Sequence, residues 1–288
     1  MKYTVVPCNS DYNTYKQIIE DLLKEFPFLN VQLIGRTVLG RGIFSLSVGN
    51  NKNGSVYVGS VCGSDGLSEL ILLLFIERLC RSVKLNQTLA SVNIRKALTL
   101  SGVTVIPCLN PDGREIDLYG PSGAKSMGSF VSSFYTAEKP RWDANAMGID
   151  IGRNFIYHPE VKETVTSPAP SLYRGEYPES EAETRSLTRL CRLKKFRHCL
   201  ELYSGDDEIF YKSRENEPVS SQMMAKILSC SCSLPLNAGT STCHSGIIDW
   251  FIKEHRRPAF AMGVSGKTDE LYGKYSALEE ALTVFALL

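Results

Sequence analysis

Cys62, Gly63, Ser64 and Asp65 follow an apolar stretch that ends at Val61, so a thiol and a carboxylate sit three positions apart just past a candidate strand. When ionised, both groups are ligands for a soft divalent metal. The same thiol is a candidate nucleophile if a histidine can take its proton. Histidine is scarce: His158, His198, His244 and His255 are the four in the chain. The plain alternative is a small buried thiol beside a loop carboxylate. Arg153, three residues after Asp150, can clamp a carboxylate with two parallel hydrogen bonds or form a structural ion pair with Asp150.

Elements must hold these groups in place. Tyr15, Ile18, Ile19, Leu22, Leu23 and Phe26 repeat at i, i+3, i+4 and i+7, predicting a helix from about Asp11 to Glu25, closed by Pro27. Strands are expected at Val31 to Ile34, Phe44 to Val48 and Val56 to Val61. A mostly apolar helix from about Leu67 to Leu85 should lie buried against a sheet. Val103 to Cys108 reads as a strand ended by a Pro-Asp-Gly turn, and Leu118 to Lys139 as a long loop. A second loop spans Tyr157 to Pro178. Ser180 and Glu183 then carry the spacing of a capping box, with each side chain bonding the other's backbone N–H at a helix start. A strand at His198 to Tyr203, helices near Val219 to Leu228 and Gly246 to Glu254, a strand at Ala259 to Val264 and a last helix from about Ser276 complete the pattern. Alternating strands and helices predict a three-layer α/β/α architecture around a mixed, mostly parallel sheet. One domain over residues 1–288 is expected.

A formal net charge of +1 gives no electrostatic reason to expect nucleic acid or an anionic membrane as partner. The longest apolar run, Leu70 to Ile76, is far short of a membrane span. Nine cysteines are scattered without a CxxC pair, and Cys80, Cys108, Cys191 and Cys199 sit in apolar contexts. That usage predicts reduced, buried thiols and a cytosolic compartment. The start, MKYTVVPCNS, lacks a basic segment followed by an apolar one, so no signal peptide is expected.

Four segments in order carry a family resemblance: Asn110-Pro111-Asp112-Gly113, the block Gly148 to Phe155, Ser180 to Thr184, and Gly246 to Trp250 followed by Pro258-Ala259-Phe260. Together they resemble the zinc carboxypeptidases of the carboxypeptidase A type, with a nearer likeness to bacterial γ-D-glutamyl-diamino acid peptidases that cut cell-wall peptides. The resemblance implies a zinc site of two histidines and a glutamate, with water activated at an open position. Here the corresponding positions are Cys62, Asp65 and Tyr203. It places the general base at Gly263 and the oxyanion-stabilising arginine at Asp143, and it replaces the asparagine beside Arg153 with Gly152. The lid tyrosine falls near Ser241, and His244 lies on a loop that the family places beside the cleft, where it could pair with Cys62. Arg153, as carboxylate binder, and Ile248, in the specificity pocket, remain.

These substitutions predict a catalytically inactive homologue without bound zinc, whose retained cleft holds a peptide or muropeptide carboxylate through Arg153. Two alternatives stay open. One is an active metallocarboxypeptidase with an unusual Cys62/Asp65 metal site, for which a phenol at Tyr203 is a poor third ligand. The other is a scaffold whose surface binds a protein partner.

Overall fold

The long helices and the central strands form where the apolar pattern calls for burial. In the computed structural model, which describes residues 5, 10–50, 52, 54–135, 141–158, 165–237, 239, 245–266 and 271–288, α1 spans Tyr12–Glu25. Asp11 caps α1 by accepting from the Thr14 N–H, and Tyr15, Ile18, Ile19 and Leu22 form its buried stripe. Then follow β1 (Asn30–Arg36), β2 (Gly42–Val48), β3 (Ser55–Val58) and α2 (Gly66–Leu85). Next come β4 (Thr88–Leu89), β5 (Val92–Asn93), α3 (Ile94–Leu100), β6 (Val103–Ile106), α4 (Pro111–Tyr119) and α5 (Gly128–Ser132). The second half contains α6 (Ala182–Lys194), β7 (Cys199–Ser204), β8 (Glu208–Phe210), α7 (Ser220–Cys232), β9 (Leu236–Asn237), α8 (Ser245–His255), β10 (Ala259–Val264) and α9 (Leu271–Leu287).

Eight strands form one mixed sheet in the order β1-β2-β6-β3-β7-β10-β8-β9. The central run β6-β3-β7-β10 is parallel. The β1 edge joins it by antiparallel pairs, and β8 pairs antiparallel with β10. Strand side chains alternate between faces. Tyr57, Leu200, Leu202, Phe260 and Met262 pack with helices α1, α2, α7 and α9. Val56, Val58, Cys199, Tyr203, Ala259 and Ala261 face α6 and α8. The expected three layers are therefore present, with a separate core on each side of the sheet.

Several expectations are corrected. The Asn110–Gly113 segment opens helix α4: Asn110 is its N-cap, accepting from the Gly113 N–H at 2.9 Å, and Pro111 takes the first-turn site where no N–H is needed. The span expected as a long loop contains the end of α4, a 3₁₀ segment at Gly120–Met127 and α5, packed around Trp142 and Val131. The capping box does not form. Glu181 is the N-cap residue of α6, and the Ser180 hydroxyl donates to Glu181 and accepts from Asn154 instead. The last helix begins at Leu271, earlier than expected. No helix among the described residues is long and apolar enough to cross a membrane. The seven described cysteines are free thiols.

Candidate active-site cleft

The loop 62–65 leaves the C-terminal end of β3 and turns into α2. It is pinned from below. The Gly63 N–H donates to the Asp143 carbonyl at 3.0 Å, and a Cβ at Gly63 would lie 2.5 Å from the Gly113 carbonyl carbon. Only glycine fits where these two backbones cross. Asp65 is buried and caps α2: Oδ1 accepts from the Ser68 N–H at 3.0 Å, and Oδ2 from the Ser68 hydroxyl at 2.7 Å. Both of its oxygens thus have partners within the helix start. Cys62 is half-buried. Burial first, then the negative charges of Asp150, Asp143, Asp65 and Glu201, push its thiol well above the ordinary range, so it is protonated at neutral pH.

Tyr203 lies near the C-terminal end of β7, directly beside Gly263 in the parallel register of β10. A Cβ at Gly263 would lie 2.8 Å from Tyr203 Cζ and Oη and 2.1 Å from the Asp206 carbonyl oxygen. A Cβ at Gly205 would lie 2.6 Å from Tyr203 Cε2. The tyrosine ring therefore occupies space that two glycines leave open. Its hydroxyl is 3.4 Å from Glu208 Oε1, and burial together with Glu208, Glu201 and Asp206 drives its pKa far upward.

Segment 141–154 forms the neighbouring wall. Asp143 Oδ1 accepts from Ser64 Oγ at 2.5 Å and from Arg141 Nε at 3.0 Å. A carboxylate engaged in this way cannot donate to an oxyanion. Asp150 receives the N–H groups of Gly152 at 3.1 Å and Leu172 at 3.2 Å, and Arg153 Nε lies 3.6 Å from its Oδ2. Ile248 on α8 is buried in the core with Phe251 and Ala259. The structure thus gathers Cys62, Asp65, Asp143 and Asp150 at one end of the cleft, pairs Tyr203 with Gly263, and sets Arg153 against Asp150. Ser241 and His244 lie outside the described residues.

Three buried asparagines hold these walls; the sequence motifs contain Asn110 and Asn154, without giving either this bracing role. Asn110 Nδ2 donates to the carbonyls of Val61 at 3.2 Å and Ala144 at 3.1 Å, tying the Cys62 loop to the Asp143 wall. Asn145 Oδ1 accepts from Met147 N and Ile149 N, and its Nδ2 donates to Glu181 at 2.8 Å. Asn154 Nδ2 donates to Arg174 O and Ser180 Oγ, while its Oδ1 accepts from Glu181 N and Thr184 Oγ1. Beneath them, Arg41 joins Asp112 at 2.8 Å and Glu115 at 3.2 Å. Burial and the nearby charge of Asp112 push Glu183 up to about 8. The available signal is the residue type alone, since one amide carries both donors and an acceptor.

Comparison with known proteins agrees with this fold. A zinc carboxypeptidase family model matches residues 15–269. Gamma-D-glutamyl-L-diamino acid endopeptidase 1 of Lysinibacillus sphaericus is 25% identical over 284 residues, covering 96% of this chain and 71% of that protein. Among solved structures, bovine thrombin-activatable fibrinolysis inhibitor, in complex with a tick carboxypeptidase inhibitor, superposes with a TM-score of 0.76 at 16% identity, covering 97% of each chain. Murein-tripeptide amidase MpaA of Escherichia coli O157 gives 0.56 at 19% identity, covering 88% of this chain and 91% of its own. These two likenesses concern the fold.

Proposed function

The chain belongs to the zinc carboxypeptidase family, and we propose that it is a member that no longer hydrolyses peptides and instead holds a peptide or muropeptide carboxylate in its cleft, as one domain over residues 1–288. The observation that carries this reading is the Tyr203 ring seated against Gly263. In this reading Gly263 is the general-base position, so a carboxylate there would need space that the ring and the Asp206 carbonyl already fill. General acid–base help is worth about 10²–10⁴-fold, and one oxyanion donor about 10²–10³-fold. With Asp143 at the oxyanion position, neither contribution is available.

The donors at the family's metal positions do not fit zinc either. A phenol of pKa about 10 is a poor metal ligand, and the Tyr203 ring is packed against Gly205 and Gly263. Asp65 is committed to capping α2. Among the described residues, no three His, Cys, Asp or Glu side chains gather as a metal would require.

Arg153 is the group suited to a ligand carboxylate. Asp150 steadies it on one side, and the guanidinium is a bidentate partner for carboxylates. The relative's name, an endopeptidase for γ-D-glutamyl-L-diamino acid bonds, suggests the peptides to try.

Three measurements test the proposal. Metal analysis of protein purified without chelators should find far less than one zinc per chain. No turnover of γ-D-glutamyl-diaminopimelate peptides should appear, with or without added divalent metals. The same peptides should raise the thermal midpoint, with about 2.7 kcal/mol of stabilisation near 100 times Kd, and Arg153→Ala should abolish that shift while staying folded. Stoichiometric zinc lost on mutating Cys62, or turnover abolished by Asp65→Ala, would establish an unusual active site instead. A peptide shift that survives Arg153→Ala would remove Arg153 as the anchor.

A further inference from the structure

Away from the cleft, strand β1 is an edge of the eight-stranded sheet and pairs only with β2 among the described residues. A seven-residue edge leaves a row of backbone donors and acceptors unmatched, a ready template for another strand. The opposite edge, β9, is two residues long. Helix α6 packs over β1 so closely that a Cβ at Gly35 would collide with the Ser186 side chain. Between the solvent side of α6 and β1 run two adjoining hollows of about 420 and about 400 Å³. Ile34, Ser186 and Arg189 line both.

The groove's charged lining is mostly basic, with Glu179 its one acid. Its apolar wall includes Leu33, 47% exposed, and Leu193, 72% exposed. Within α6 the basic residues are Arg185, Arg189, Arg192 and Lys194, and its one acid, Glu183, is buried. Arg185, Arg189 and Arg192 are all exposed and line the groove, in a chain whose net charge is only +1. Arg192 already shows how a carboxylate docks here: Glu179 sits on its guanidinium with two bonds, at 2.7 and 3.0 Å. Arg185 donates to the Glu179 and Ser180 carbonyls. Arg189 makes no hydrogen bond or ion pair among the described residues.

We propose that the β1–α6 groove is a docking surface for an extended acidic peptide segment of a partner protein. The segment adds a strand to the β1 edge, sets carboxylates against Arg189 and Arg185 on the α6 face, and sets the alternate apolar side chains on the opposite face beside Leu33. Backbone pairing supplies the general affinity, and the side-chain contacts supply the choice of partner. Charge complementarity selects this occupant. A second copy of the chain docking through the same face would bring two cationic helices together, which is repulsive. The surface is independent of the cleft and its carboxylate.

Fluorescence anisotropy with a short labelled peptide of alternating valine and aspartate tests the proposal. The wild-type chain should bind it, and should not bind a valine–lysine peptide of the same length. N-methylation of alternate backbone amides in the valine–aspartate peptide should abolish binding. Arg189→Glu and Leu33→Asp should each weaken binding about tenfold or more. Both positions are exposed, so the thermal midpoint should stay unchanged. Equal binding of the N-methylated peptide would overturn strand addition. An unchanged affinity in Arg189→Glu would overturn the charge assignment. Binding of duplex DNA or anionic phosphatidylserine vesicles through Arg189, with no peptide binding, would show a general polyanion surface and refute the peptide.

Discussion

Asn154 and Tyr203 are both nearly buried polar side chains, and they are held in opposite ways. Each atom of the Asn154 amide bridges separate loop segments, from Arg174 to Thr184. Tyr203 has a long hydroxyl contact to Glu208, and its ring is placed by the absence of side chains at Gly205 and Gly263. The brace of Asn110, Asn145, Asn154 and Arg41 is thus specified by matching donors to acceptors. The cleft floor is specified by space. A buried polar brace tolerates little change, because a removed partner leaves the other group stranded. A cleft floor that no longer carries chemistry can be refilled, provided that the volume closes. In the reading proposed above, the walls of the cleft persist around a floor that has lost its reacting groups.

Removing a charge from the brace should break this contrast most strongly. Arg41→Ala strands Asp112 without its buried cation and should cost about 3–5 kcal/mol. A urea titration that finds less than about 1 kcal/mol would show that the brace is not what holds the walls.

The next largest effect is a dependence on pH. Glu183 has its pKa raised from 4.5 to about 8 in the fold, so between those values the folded state holds a proton that the unfolded chain has released. Stability then falls as pH rises through that window and levels off above it. The fall should amount to about 2–4 kcal/mol between pH 5 and 8. Glu183→Gln should remove that fall, leaving the comparable one due to Glu69, which burial pushes up to about 7. Unfolding midpoints at the two pH values decide the matter, and a slope unchanged in Glu183→Gln would exclude this source.

On the cleft side, Gly263→Ala should cost about 1–3 kcal/mol by overpacking. Combining it with Tyr203→Ala relieves the ring contact but not the Asp206 carbonyl contact, so recovery should be partial. Full tolerance of Gly263→Ala, judged by an unchanged thermal midpoint, would mean that the floor is roomy after all. Smallest of all, Cys62→Ser should change stability by about 0.5 kcal/mol or less. A larger loss would give this thiol a structural task that its surroundings do not suggest.

The layered fold was legible because long, strongly periodic segments dominate it. Helix α1 and strand β10 fall where the apolar pattern puts them, and α2 begins one residue earlier. The misses share a cause, which is tertiary contact overriding a local signal. Ser180 has the side chain of a cap, but the Asn154 amide, distant in sequence, claims its hydroxyl. The stretch after Leu118 looks shapeless because a 3₁₀ repeat and a five-residue helix give no 3.6-residue periodicity. Strands β8 and β9 are too short for alternation to register. At the site, the family resemblance points to Cys62, Asp65, Tyr203 and Gly263 one position at a time. That Tyr203 and Gly263 share a single volume follows only from the parallel register of β7 and β10, which no local pattern encodes.

That shared volume also imposes a historical order. In the reading proposed above, an ancestor carried a histidine and a glutamate where Tyr203 and Gly263 now stand. A tyrosine ring in its present position excludes any side chain on its neighbour. The glutamate must therefore have been lost before the tyrosine settled there, or together with it. The return path is closed in the same sense: restoring the acid alone collides with the ring, and restoring the histidine alone regains no base. Selection acting on single substitutions has no improving first step back, so the pair works as a ratchet.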